Sequence, residues 1–213
     1  MFNSQDKQDE YLEQNIFKGH KKGFFVDVGA HDGKSINNTL YFETTHNWTG
    51  INIEPIKDVY DQLEINRPKC INLNCAIDEK KGQSEFIYNK GYTEMISGLK
   101  SHYDPRHYDR LECENNYFGS TSNVINVATD TLTNIFNKYV IKHVNYLSID
   151  VEGAEFAVIK SINFDNVFID VIGFENNYND TSLPIIEYLK TKGYLILHKT
   201  MDIFMIHEKS LFR

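Results

Sequence analysis

The stretch FFVDVGAHDGKS, residues 24–35, decides how the rest of the chain is read. Phe24 to Val28 favour a β-strand, buried enough to be mostly apolar yet carrying Asp27. Gly29 and Gly33 then interrupt the chain, and the polar run that follows, KSINNTLYFETTHN, predicts a helix over 34–47. In an open α/β sheet, ligands sit beyond the carboxyl ends of strands. Gly29 and Gly33 lack Cβ, which predicts a sharp turn with a ligand lying against its backbone. The helix start beyond them predicts free N–H groups facing that ligand.

Working outward, GINIE (50–54) predicts a second strand, and IKDVYDQLEINR a helix with Pro55 at its first turn. CINLNCAI (70–77) predicts a third strand. Upstream, DKQDEYLEQNIFKG predicts a helix closed by Gly19, with Tyr11, Leu12, Ile16 and Phe17 on one side. Downstream, SEFIYN (84–89), NVINVAT (123–129), VNYLSID (144–150) and FIDVIGFE (168–175) predict strands. DTLTNIFNKYV, EGAEFAVIKSI and SLPIIEYLKTKG predict helices, and YLILHKTMDIFMIHEK an apolar hairpin. Strand–helix alternation of this kind predicts an α/β fold, a mostly parallel sheet of about seven strands ending in an antiparallel hairpin, with helices on both faces. No repeat or Pro/Gly/Ser-rich linker divides residues 1–213, so one domain is expected. Residues 90–123 carry no clean period and are rich in Tyr, His and Gly. A loop of that length inside a compact domain points to function.

Composition narrows the classes. The 213 residues carry a formal net charge of −8, which argues against a broad phosphate-binding surface. Three cysteines (Cys70, Cys75, Cys113), odd in number and without C-x-x-C spacing, argue against a disulfide framework or structural zinc and favour a reducing compartment. The N-terminal MFNSQDKQDEYLEQN has no apolar core of a signal peptide, and no apolar run is long enough to cross a membrane. A soluble, cytoplasmic protein is expected, with no nucleic-acid partner and no membrane insertion. Its oligomeric state, a homodimer included, stays open.

The loop after the first strand is not a dinucleotide fingerprint, because His31 stands where G-x-G-x-x-G needs glycine. The second strand nevertheless ends in Glu54, a carboxylate placed to accept both hydroxyls of a ribose. A glycine turn plus a ribose acid, without the pyrophosphate spacing, predicts an adenosine ligand that has no pyrophosphate.

A second constellation lies further on. YLSIDVEGAE places Asp150, Glu152 and Glu155 at and just past a strand end, and FENN puts Glu175 and Asn176 past the next. Oxygen ligands on adjacent strand ends can converge on one hard cation such as Mg²⁺. One of Glu152 and Glu155 has the alternative of a helix N-terminal acid.

VDVGAHDG followed one strand later by IEP resembles the nucleoside half of Rossmann-like class I methyltransferases that use S-adenosylmethionine. More narrowly, the chain is similar to the FkbM family. SQDKQDEYL resembles its S-Q-x-x-Q-D opening, NCAI its third-strand end, MISGL its mid-chain element and YLSIDVEGAE its most specific motif. The likeness runs from about residue 4 to 208. It implies that Asp27, Gly29 and Ala30 lie under the methionine and ribose of the donor, with His31 where the family commonly has Asn. It implies Glu54, beside Pro55, on the ribose, and Cys75, Ala76 and Ile77 along the adenine. Gln5, Gln8 and Asp9 would close over the donor from the N-terminal helix, residues 1–19. The acids also look like those of catechol-type methyltransferases, where the metal would be held by Asp150, Glu175 and Asn176.

Methyl transfer from a sulfonium needs alignment and removal of one proton. Candidate bases are Asp150, Glu152, and His102 or His107 in the 90–123 segment, which would act as a lid over the acceptor. Its tyrosines (Tyr92, Tyr103, Tyr108, Tyr117) could stack on a sugar. The expected function is an S-adenosylmethionine-dependent O-methyltransferase acting on a sugar or glycan hydroxyl, with or without Mg²⁺. A polyketide, lipid or small phenol is the alternative acceptor, and a non-catalytic nucleoside-binding module is the alternative class.

Overall fold

The computed structural model describes residues 1–199 and 201–213; position 200, in the turn of the expected hairpin, lies outside them. The predicted first strand is β1, Phe24–Val28, and β2 is Thr49–Ile53. The strands that follow are β3 (Ile71–Leu73), β4 (Ala76–Ile77), β5 (Gly82–Lys90), β6 (Gly98–Leu99) and β7 (Thr121–Asp130). The last four are β8 (His143–Ile149), β9 (Phe168–Glu175), β10 (Tyr194–Lys199) and β11 (Asp202–His207). The main sheet has seven strands in the order β10-β11-β9-β8-β1-β2-β3. Its β3, β2, β1, β8 and β9 run parallel, and β11 and β10 close it as an antiparallel hairpin, as the sequence predicts.

Period-two alternation along β1 divides its side chains between two cores. Val26 and Val28 enter a large cluster with α5 (Leu132–Tyr139), α6 (Glu155–Lys160) and α7 (Asn179–Thr191). Phe25 enters an aromatic cluster on the other face with Leu12, Ile16, Phe17, Phe42, Trp48 and Tyr146. That face is covered by α1 (Gln8–Leu12), its π-helical continuation Glu13–Phe17, and α2 (Leu40–His46).

Four expectations are corrected. The predicted helix over 34–47 begins only at Leu40, because Asn37 stops it: its Oδ1 accepts the backbone N–H groups of Thr39 and Leu40 while its Nδ2 donates to Asp27 and to the Ala30 carbonyl. No helix N-terminus therefore abuts the glycine turn. Pro55 precedes the helix α3 (Lys57–Asn66), whose N-cap is Ile56, and does not occupy its first turn. The predicted strand 70–77 breaks after Leu73, where the Asn74 side chain donates to the carbonyls of Glu54 and Pro55. Ala76–Ile77 then joins a second sheet, of order β4-β7-β5-β6, which the sequence reading did not separate from the first. Finally, residues 90–123 contain a 14-residue helix, α4 (Pro105–Phe118). Asp104 caps it by accepting the Arg106 N–H, Pro105 starts it and Gly119 (φ +69°) ends it, all signals present in the sequence. Its largely polar face hid the period.

Asp27, the odd residue of β1, is 2% exposed and points away from the Val26/Val28 side. Its Oδ2 accepts from Asn37 Nδ2 and Thr39 Oγ1, both at 2.9 Å. Beyond them lies Arg67, fully buried at the end of α3. Its guanidinium bonds Glu43, donates to the Gly33 carbonyl and Asn37 Oδ1 (both 3.0 Å) and to Thr39 Oγ1 (3.1 Å). Removing one member of a buried ionic network leaves the others unpaired. Arg67→Met should therefore cost about 3–5 kcal/mol in urea unfolding; a loss under about 1 kcal/mol would mean that the network is not coupled.

Candidate active site

The carboxyl ends of β1, β2, β8 and β9 open onto one cavity of about 1020 Å³, counting the part open to solvent. Its wall at β2 is Glu54, 5% exposed, whose Oε1 accepts the Ile56 N–H at 2.7 Å and which the His31 backbone N–H also approaches. A carboxylate has four acceptor positions, so two remain for a ligand. Burial, as the largest influence, pushes the Glu54 carboxyl up to about 7. Beside it Pro55, Ile56, Cys75, Ala76 and Ile77 make an apolar strip, which Phe86 and Leu99 of the second sheet continue.

Gly29, Ala30 and His31 also line the cavity. A Cβ on Gly29 (φ +86°) would stand 1.7 Å from the Asp150 carbonyl, and one on Gly33 (φ +71°) 2.5 Å from Leu63. Both glycines are required by the protein's own backbone and core, and neither holds space for a ligand. Asp27 and Gln5 line the cavity too. Gln8 and Asp9 do not. Asp9 is fully buried and accepts from Asn3 N, Ser4 N and Ser4 Oγ, so it ties down the N-terminal strand of chain that delivers Gln5. Gln8 hydrogen-bonds the Asp202 carboxylate, which burial raises to about 6.

At the opposite end Asp150, Glu152 and Glu175 bring carboxylate oxygens within 4.8 Å of one another. Asp150 is open to the cavity but enclosed by protein on its other sides. Burial first, and the repulsion of the neighbouring acids second, holds all three carboxyls above their ordinary range, Asp150 to about 7. Glu152 sits at φ +55° in the turn after β8 and is not part of a helix. Glu155 is the first residue of α6 and accepts the Gly153 N–H, the helix-terminal role. The predicted Asn176 turns away to accept from Ser182 Oγ. Its neighbour Asn177 donates from Nδ2 to Glu175 Oε2 at 2.6 Å and lies 3.5 Å from Glu152 Oε2.

The histidine assignments also move. His102 pairs with Asp78 at 3.0 Å and is not in the cavity lining. His107, 3% exposed on α4, approaches Glu152 from behind, Nε2 to Oε2 3.9 Å. Among the tyrosines, Tyr103 is buried and donates to the Ile96 carbonyl, while Tyr92, Tyr108 and Tyr117 are exposed and outside the cavity lining. Arg67, Glu94, Asn177 and Asp202 are functional-site neighbours that the sequence reading missed; only Asn177, next to a predicted ligand, had a local signal. Among the described residues, no Lys or Arg lines the cavity.

A parallel sheet closed by an antiparallel hairpin, with a cavity at its switch point edged by a strand-end acid, defines a Rossmann-like methyltransferase fold. The chain matches the methyltransferase FkbM domain over residues 27–196 and belongs to that family. Among solved structures it is similar to methyltransferase FkbM from Methylobacillus flagellatus KT (13% identity, TM-score 0.53), covering 88% of this chain and 44% of that one. It therefore spans less than half the length of that protein. It is also similar to a putative rRNA-methylase from Clostridium thermocellum (8% identity, TM-score 0.50), covering 99% of this chain and 98% of that one. At such identities the likeness is one of fold. No curated protein matches the sequence. No helix among the described residues is long and apolar enough to cross a membrane.

The raised carboxyls fix the sign of a stability profile. Asp150 and Glu54 at about 7 and Asp202 at about 6 keep protons in the folded chain that the unfolded chain has released. The folded state then binds more protons, so stability falls as pH rises from the ordinary carboxylate range through about 7. The ligand-free protein should melt at a lower temperature at about pH 8 than at about pH 5.5. Asp150→Asn should flatten that slope and raise the melting temperature at the higher pH. A melting temperature that climbs across this range would contradict the assignment.

Proposed function

We propose that the protein transfers the methyl group of S-adenosylmethionine to a hydroxyl of a sugar or glycan. The observation that carries this reading is one continuous cavity with a nucleoside-type acid, Glu54, at one end and the Asp150–Glu152–Glu175 trio at the other. The residues suit the donor: a carboxylate already fixed by backbone N–H groups, with acceptor positions left for ribose hydroxyls, stands against an apolar strip of the kind a base packs on. S-adenosylmethionine supplies a methyl group already activated on a sulfonium.

Glu54 would hold the ribose and Pro55, Ile56 and Cys75 to Ile77 the adenine, while Gln5, Ala30 and Asp27 border the remainder. At the far end an ionised oxygen of Asp150 or Glu152 would take the proton of the attacking hydroxyl. Asp150, Glu152 and Glu175 would also hold Mg²⁺, a hard cation suited to carboxylate oxygens, whose charge would offset their repulsion and supply Lewis acidity to the acceptor oxygens. Glu175 is oriented for this by Asn177. The segment from Tyr92 to Tyr103, with α4 behind it, would cover the acceptor. A cavity lining without Lys or Arg suits an uncharged sugar better than a nucleic-acid phosphate backbone. Free Cys70, Cys75 and Cys113 agree with a cytoplasmic setting.

Calorimetry with S-adenosylhomocysteine tests the donor half. The wild-type protein should bind, and Glu54→Ala should lose about 1.5–3 kcal/mol, the range for hydrogen bonds to a charged group. Wild-type protein that does not bind would end the reading. For the metal, Mn²⁺ titrated into the protein should bind with a stoichiometry of one and fail to bind Asp150→Asn. Methylation of a glycan panel that is unaffected by excess EDTA would remove Mg²⁺ while leaving methyl transfer standing.

A further inference from the structure

Glu94 belongs to none of the motifs and is carried by the second sheet, yet it meets the donor end of the cavity. It opens the single 3₁₀ turn Glu94–Ile96 that follows β5. That turn is braced at several points: Ser97 Oγ donates to the Glu94 carbonyl, and both Asn89 Nδ2 and Tyr103 Oη donate to the Ile96 carbonyl. Its carboxylate is therefore delivered from a rigid mount. Glu94 Oε1 lies 3.2 Å from His31 Nε2, so the contact joins the β1 loop to the second sheet across the cavity that both residues line.

His31 connects two acids. Its backbone N–H reaches Glu54 while its ring reaches Glu94. It does so in the left-handed region at φ +50°, a conformation that disfavours a side chain. Glu94 is close enough to Glu54 for its charge to be felt there. Two carboxylates facing one space repel unless hydrogen-bond donors come between them. The donors that belong at a strand-end acid are ribose hydroxyls.

We propose that Glu94 is a second nucleoside-binding acid, positioned by His31, so that Glu54 and Glu94 together bracket the two ribose hydroxyls of the donor. This rests on the methyltransferase reading and deepens it. A single acid after β2 would accept both hydroxyls; here the second sheet contributes a carboxylate of its own from a fixed turn. His31, where a smaller amide would make no bridge of this length, supplies the alignment.

The test is calorimetry of two ligands, S-adenosylhomocysteine and its 2′,3′-dideoxy analogue, on the full chain. Wild-type protein should prefer the parent compound by at least ~30-fold, about 2 kcal/mol at 1.4 kcal/mol per decade. Glu94→Ala should lower parent affinity about tenfold and leave the dideoxy analogue within about twofold, shrinking the preference. Glu94→Gln, which can still accept from a hydroxyl, should recover part of it. His31→Ala should shift the ratio in the same direction as Glu94→Ala. If Glu94→Ala weakens both ligands equally, or neither, Glu94 braces the loop and the proposal is overturned. Loss of parent binding in the wild type would instead indict the donor reading itself, so the two failures are separable.

Discussion

The guanidinium of Arg67, with no exposed surface, is the constraint on which the site depends. It stands over the Phe25 ring and spends its donors on Glu43, Gly33, Asn37 and Thr39. Asn37 and Thr39 in turn bond Asp27 at the end of β1. Burial raises the Asp27 carboxyl, and the Arg67 charge is the largest of the influences that draw it back. Because these groups are out of water, each must keep its partner. The segment between β1 and α2, residues 29–39, is thereby held in one non-helical path, and that path places Ala30 and His31 on the cavity wall.

The opposite end of the cavity follows a different logic. Gly29 lets β1 pass so close to β8 that a Cβ would overlap the Asp150 carbonyl. β8 in turn pairs directly with β9, so the ends of these two parallel strands, and three carboxyls with them, lie side by side. Like charges gathered in an enclosed space oppose folding, which is the cost that functional sites characteristically carry. Under the proposed function, a cation, or the proton taken from an acceptor, would be what the trio receives. His107 and Asn177 back it from α4 and from the segment after β9.

Much of this was legible in the sequence where residue pattern and local chemistry agree. FFVDV, FIDVIGFE and the terminal hairpin announce their strands, and Glu54 and Asp150 stand at strand ends by position alone. What failed did so for identifiable reasons. Asn37 overrides the helical period of 34–47 by bonding its own backbone, a choice that depends on Asp27 and Arg67 being near in space. Asn74 diverts the third strand into a second sheet for the same kind of reason. Asn176 and Asn177 are equivalent in sequence, and only the turn after β9 selects which faces Glu175. Glu94 and His31 are 63 positions apart, and their meeting depends on how the second sheet sits over the first. The 105–118 helix is the exception, since Asp104, Pro105 and Gly119 marked it.

The central claim is that one cavity holds a nucleoside donor at Glu54 and performs chemistry at Asp150, Glu152 and Glu175. A crystal structure of the protein with S-adenosylhomocysteine tests it most directly. The account predicts density for the ribose between Glu54 and Glu94, the base along Cys75 to Ile77, and the sulfur facing the carboxylate trio. A ligand bound elsewhere, or one whose sulfur points away from Asp150 with the ribose free of Glu54, would contradict it.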